Sequence, residues 1–255
     1  MTTESMKTLR KPSMMAISAA LALALAACGG SEAPEGTLPV GEPIADIAPP
    51  EGQLWQDTAS HTEQGGVVVG NPEAPLKLVE YASHTCSACA NFSQISSGAL
   101  LSEYVASGVV SFEIRNVIRD PVDLSIAVLA RCNGPTAFHP LAEQAWENYT
   151  PIMEQAQANI SAINAASASG APDLNVTIAE ASGLIDFFAA RGVSRDAAAA
   201  CLSDEERVEE IVSLNEASAN AFGVDSTPTL FLNNADVGTR SWPGVESVLQ
   251  NAGAR

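Results

Sequence analysis

Cys86 and Cys89, separated by Ser87 and Ala88, stand where an apolar, strand-like run over residues 76–81 gives way to a helix-like run over residues 90–105. That junction constrains the fold more than any other part of the chain. It asks for a strand that ends beneath the first turn of a helix, with both sulfurs at the helix start. There, unpaired backbone N–H groups and the positive end of the helix dipole favour a thiolate, the form that attacks and leaves in disulfide exchange. Spacing alone leaves three outcomes open: an exchanging disulfide, a structural disulfide or half of a zinc site. Zinc is the weakest, because a closed tetrahedral site needs four ligands and the chain offers neither a second such cysteine pair nor suitably spaced histidines. No metal and no cofactor is expected.

The flanking sequence supplies the rest of a βαβ unit. Val67, Val68 and Val69 form a short apolar run stopped by Gly70-Asn71-Pro72, and residues 76–82 form a second; both suit buried strands. A helix over residues 86–105 is closed by Ser107-Gly108. Residues 109–118 then alternate as a further strand, with Val110, Phe112 and Ile114 on one side. From Asp120 the period changes. Asp120-Pro121 combines a good N-cap with proline at the first helical position, and Gly134 ends that helix. Residues 140–157, 184–190, 194–202 and 205–222 also read as helices, several rich in alanine, whereas residues 159–181 are weakly patterned and read as loop. Strand character returns over residues 229–232, followed by a turn at Asn233-Asn234 and a short helix over residues 244–251. A helical block over residues 120–222 is thus inserted into an α/β domain.

Residues 1–27 carry a basic start (Lys7, Arg10, Lys11) and an apolar run shorter than the roughly 20 residues that cross a bilayer, the pattern of an export leader. The leader ends Leu25-Ala26-Ala27-Cys28-Gly29, which resembles the lipobox of bacterial lipoproteins. That resemblance implies cleavage before Cys28 and lipidation of its thiol as a membrane anchor; ordinary cleavage with a spare cysteine is the alternative. Gly29, standing where inner-membrane lipoproteins carry Asp, tilts the expectation toward an outer membrane facing the periplasm. Residues 28–64 hold Pro34, Pro39, Pro43, Pro49 and Pro50 among glycines and acids, and read as a tether. The formal charge is −18, and losing residues 1–27 removes three basic groups and one acidic one, leaving −20. With Lys77 then the only lysine, no basic patch exists to neutralise phosphates, so nucleic acid is excluded as a partner. Setting Cys28 aside leaves Cys132 and Cys201 beside the first pair. Bridged, they would close a loop of about 70 residues; two separate buried thiols are the alternative.

Taken in order, Gly70-Asn71-Pro72-Glu73-Ala74-Pro75, the strand Leu78-Val79-Glu80-Tyr81, the Cys86 to Cys89 motif, the helical insert and Ser226-Thr227-Pro228-Thr229 resemble the DsbA-like branch of the thioredoxin fold over residues 65–252. The resemblance implies an α/β thioredoxin fold with an inserted helical subdomain. It implies that Pro228 is cis and faces the two cysteines, with Thr227 and Pro228 pairing with the backbone of an extended substrate. Glu80, six residues before Cys86, matches the buried acid that relays protons for the inner cysteine. An acid in the middle of a buried strand costs free energy unless it is paired or functional, and desolvation should raise its pKa. A solvated edge position is the alternative for Glu80. His84 is the last candidate, either supporting the Cys86 thiolate and contacting substrate or lying solvated in its loop. His61 and His139 have no evident partner.

The same resemblance implies a periplasmic thiol-disulfide oxidoreductase acting on exported, cysteine-containing proteins. Cys86 would be the attacked sulfur and Cys89 the leaving one, with a DsbB-like redox partner in the membrane if the protein is an oxidant. Strong oxidants of the family carry Pro and His between the cysteines, where this chain has Ser87 and Ala88, and Thr227 is nearer the isomerase and reductase relatives. Oxidase is the first expectation and reductase or isomerase the second. A tethered binding module or holdase, with the cysteine pair as a static brace, is the reading from another class.

Overall fold

The computed structural model describes residues 36–170 and 173–255. Its centre is a sheet of β1 (Ala59–His61), β2 (Val67–Gly70), β3 (Leu76–Ala82), β4 (Val110–Asn116), β5 (Thr229–Leu232) and β6 (Ala235–Asp236), in the order β1-β2-β4-β3-β5-β6. Only β3 and β4 run parallel; all other neighbours are antiparallel. A parallel pair needs a crossover, and α1 (Ser87–Ala99), continued by a π-helical turn over Leu100–Val105, provides it. Helix α1 packs on one face of the sheet, in one hydrophobic core with Leu76, Leu78 and Ala82 of β3.

The opposite face is covered too, which the alternation in β4 did not reveal. All seven β4 residues are buried. Helix α9 (Glu205–Ala221) closes over Val79, Tyr81 and Phe231 and supplies partners for the Arg115 side chain and the Asn116 backbone. Arg115 donates to both oxygens of Glu113, to Tyr81 Oη at 2.9 Å and to Ser218 Oγ at 3.1 Å, while Asn215 accepts the Asn116 N–H at 2.8 Å. Polar residues can occupy a covered strand face when each finds such a partner.

The helical insertion runs through α2 (Pro121–Arg131), α3 (Pro135–Glu147), α4 (Tyr149–Ala158), α5 (Ile160–Ser169), α6 (Leu174–Ala181), α7 (Leu184–Ala189), α8 (Arg195–Ser203) and α9. Asp120 caps α2 by accepting from the N–H groups of Val122 and Asp123, with Pro121 at the first helical position. Within the stretch read as loop, residues 160–169 and 174–181 are helical, forming α5 and α6. Alanines conceal the pattern in α5, where Ile163 is the one large buried side chain, while α6 is short and buries Ile178 with Leu174 and Val176 packed beside it. Helix α3 begins at Pro135, not at Pro140, which lies inside it. A disulfide joins Cys132, just after α2, to Cys201 on α8 across a separation of 69 residues. After β6 the chain closes with α10 (Trp242–Asn251), whose Trp242 meets Phe92 of α1 edge to face.

The proline-rich segment before β1 departs from the expected tether. From Gly36 onward it lies against the domain. Gly41 donates to the Asn251 carbonyl (3.0 Å), Ile44 to that of Gly253 (2.9 Å) and Ile47 to that of Ser107 (2.8 Å). Leu38 and Ile44 pack on the core, and Trp55 is buried with its indole N–H bonded to the Ile47 carbonyl at 2.7 Å. Isolated apolar residues between prolines suffice here, because backbone bonding to the domain replaces regular structure. Gly108 marks the tightest passage: at φ +74°, a Cβ there would overlap the Ile47 carbonyl and the Trp55 indole. Sheet pairing then begins at Ala59, inside the stretch read as tether.

Closing a 69-residue loop removes chain entropy from the unfolded state, so the Cys132→Ala/Cys201→Ala double variant should lose about 4 kcal/mol of stability, read from urea unfolding curves.

Candidate functional site

Strand β3 delivers one functional group, Glu80, to the α1 side of the sheet and leads into the turn that carries the cysteines. Side chains alternate along a strand, so Glu80 shares a face with Leu78 and Ala82, and the chain then turns through Ser83 to Thr85 into α1. Cys86 occupies the N-cap position of α1 with extended backbone angles, and Cys89 lies one turn in, fully buried. Both are free thiols. Opposite them, the Thr227–Pro228 peptide bond is cis, and Cys86 Sγ lies 3.4 Å from the Thr227 carbonyl oxygen.

The two thiols differ sharply in acidity. Cys86 is held down to about 5. The largest cause is the hydrogen bond from the Cys89 thiol; burial opposes it, and the Thr227 side chain and the backbone N–H groups of Cys89 and Ala88 add to it. Those amides are unpaired donors of a helix start, acting as such donors do on an anion. No imidazole between the cysteines is needed. Cys89 is pushed strongly upward, first because it is the donor to Cys86, then by burial and by the charge of Glu80. Glu80 is itself only 1% exposed, its Oε1 has no hydrogen-bond partner, and burial, followed by the Cys86 charge, raises its pKa to about 8. It is a buried acid, not an edge residue.

His84 does not join them. Its side chain is fully buried and stacks on Trp146, with ring centroids 4.8 Å apart and planes 21° apart. It is therefore neither a solvated loop histidine nor a residue that a substrate can touch. Its Nδ1 lies 3.3 Å from Asn116 Nδ2 and 3.5 Å from Asp123 Oδ1. Asp123, which the sequence did not single out, organises the whole turn: it accepts the His84 N–H (2.8 Å), the Ser83 hydroxyl (2.6 Å) and the Arg119 N–H (3.1 Å). Trp146 completes it, donating from its indole to the Ser83 carbonyl at 3.1 Å. Arg240 plays a comparable part across the site, its Nε donating to the Pro228 carbonyl at 2.7 Å and its guanidinium also reaching Ser226 Oγ. Neither Asp123 nor Arg240 stands in a motif, so only the contacts reveal them. His139 is buried, with Nε2 donating to the Val67 carbonyl at 2.9 Å. Cys132 and Cys201 lie in the insertion, and Cys28 lies outside the described residues.

Among the described residues no group of three or more His, Cys, Asp or Glu side chains is placed to hold a metal ion, and no helix is long and apolar enough to cross a membrane. A family model described as thioredoxin matches residues 62–251. The chain belongs to the thioredoxin family. Within that family it is a DsbA-like α/β protein with a helical insertion. A protein-disulfide isomerase structure from Novosphingobium aromaticivorans is 28% identical, with a TM-score of 0.69 over 74% of this chain and 97% of that one. Wolbachia pipientis alpha-DsbA1 shares the fold at 21% identity and a TM-score of 0.59, over 72% of this chain and 89% of its own. A putative protein-disulfide oxidoreductase of Rickettsia felis is 24% identical over 194 residues, 74% of this chain, and the match spans 61% of that relative's length.

In the reduced protein, thiolate absorbance should titrate with a midpoint near pH 5, and Cys89→Ala should move that midpoint upward by removing the largest stabilising donor. A carboxyl whose folded pKa exceeds its ordinary value binds protons on folding between the two, so Glu80 makes the fold less stable as pH rises from about 4.5 to about 8. Reduced Glu80→Gln protein should accordingly be more stable than the parent, by a margin that widens across that window and then stays constant; denaturant titrations at its two ends check this.

Proposed function

We propose that this protein is a periplasmic thiol-disulfide oxidoreductase that introduces disulfides into exported proteins, held to the membrane through lipidated Cys28. The observation that carries the reading is the opposed acidity of Cys86 and Cys89 beneath the cis Thr227–Pro228 bond. In the oxidised protein a client thiolate attacks Cys86 Sγ, the Cys86 to Cys89 bond breaks, and its electron pair leaves on Cys89. Glu80, protonated near neutral pH, is placed to give Cys89 its proton. The client's second thiolate then attacks the client sulfur of the mixed disulfide and Cys86 departs as a thiolate. Two client thiols are oxidised and the protein's pair is reduced. A low thiol pKa makes Cys86 a good leaving group and stabilises the reduced pair, which favours donation of the disulfide. Thr227 and Pro228 would align an extended client strand beside Cys86, and a DsbB-like membrane partner would reoxidise the pair.

Disulfide isomerisation or reduction is the second reading, favoured by the 28% identical protein-disulfide isomerase and by Ser87-Ala88 between the cysteines. A tethered holdase with a static pair is the third, and the acidity of Cys86 speaks against it.

Titration against glutathione separates these readings: a strong oxidant equilibrates near about −120 mV, an isomerase near about −180 mV, a reductant nearer about −270 mV, and a static brace does not equilibrate under mild conditions. Cys89→Ser should accumulate mixed disulfides with exported proteins through Cys86. Failure to trap any client, with the pair still exchanging with glutathione, would count against protein substrates.

A further inference from the structure

Arg131 takes no part in the exchange chemistry, yet it is a cation only 4% exposed at the end of α2. Its Nη1 donates to the Ala127 carbonyl at 2.9 Å and its Nη2 to the Gly65 carbonyl at 3.3 Å, and the guanidinium sits 4.4 Å from the centre of the Phe138 ring. No carboxylate among the described residues forms an ion pair with it. Carbonyls and a ring face orient a guanidinium but leave its charge uncompensated, and a buried charge is costly without a counter-charge. Burial accordingly pushes its pKa down to about 9.

Arg131 lines a cavity of about 230 Å³ bounded by the end of β1, the turn that follows it, the end of α2 and α9. His61, Gly65, Arg207, Glu210 and Leu214 line it as well. Two guanidiniums and an imidazole thus share the space with one carboxylate, on a chain whose formal charge is −18. They act on one another: after burial itself, Arg131 and Arg207 are what lower the pKa of His61. The walls are fixed in place. A Cβ on Gly65 would come within 2.7 Å of Leu214 Cβ, so the turn presses directly on α9, and the Gly65 carbonyl also accepts from Asn215 Nδ2 at 3.2 Å. Arg131 directly precedes Cys132 at the end of α2, and Arg207 Nη1, on α9, lies 3.8 Å from Cys201 Sγ on α8, so both cations stand beside the disulfide.

We infer that this cavity is an anion-binding site, taking a small oxyanion such as phosphate or a short dicarboxylate between Arg131 and Arg207. Both ligand classes offer paired oxygens to the fork of an arginine, and either supplies the counter-charge that Arg131 lacks. None of the lining residues belongs to the exchange site, so the inference stands apart from the proposed function.

Calorimetric titration of the whole protein with inorganic phosphate, and separately with succinate, tests it. Binding of phosphate alone assigns a tetrahedral anion and binding of succinate alone a carboxylate; either supports the site. Arg207→Gln should weaken the binding by about tenfold, the worth of one charge-assisted hydrogen bond. Glu210→Gln should tighten it, because among the described residues it removes the one carboxylate that lines the cavity. Arg207 is half-buried and Glu210 exposed, so neither replacement disturbs the core. The inference is overturned if neither anion binds, or if binding is the same in the parent and both variants.

Discussion

The whole site depends on β3 being held between β4 and β5. Its parallel pairing with β4 forces the crossover that becomes α1, so the cysteines arrive at the strand end where that crossover starts. Its antiparallel pairing with β5, with Tyr81 opposite Thr229, brings the two residues before β5 to the same end. Thr227 therefore reaches Cys86 from a position 141 residues along the chain. A slip of one residue would reverse every face: Glu80 would turn toward α9, and Tyr81 would lose its hydroxyl partners on that helix.

Within that frame, the pair works through the placement of a single proton. Cys89 is buried and holds its proton toward Cys86; Cys86 meets helix-start amides and a threonine side chain. The same two residues in open solvent would be nearly equivalent. Burial alone would raise both pKa values, so the donors decide which sulfur becomes the anion. Glu80 fits this division, since an uncharged carboxyl near Cys89 is tolerated in the core and an ionised one is not. The turn between β3 and α1 is made rigid by Asp123, whose hydrogen bonds to Ser83, His84 and Arg119 leave the loop little freedom.

Much of this was readable before any coordinates. The valine run, the strand ahead of Cys86, the alternation through Phe112 and the proline at 228 carry strong periodic or positional signals, because strand faces and prolines leave marks in sequence. Other elements left none. Alanine-rich α5 buries Ile163 beside an alanine and shows almost no amphipathic stripe, and α6 spans only eight residues. Arg115 finds its partners Ser218 and Tyr81 at 103 and 34 residues along the chain. His84 looked like a loop residue because the aromatic ring that covers it, Trp146, belongs to a distant helix. Pairings of this kind are properties of the tertiary structure and have no local signature.

The docking of the proline-rich segment has a mechanical consequence. Gly36 already lies against Ala235, so the chain from that point on is committed to the domain. If Cys28 carries the lipid, eight peptide units remain as a leash, with a fully stretched span of at most about 30 Å. The body would ride close above the bilayer, and clients would have to come within that short radius.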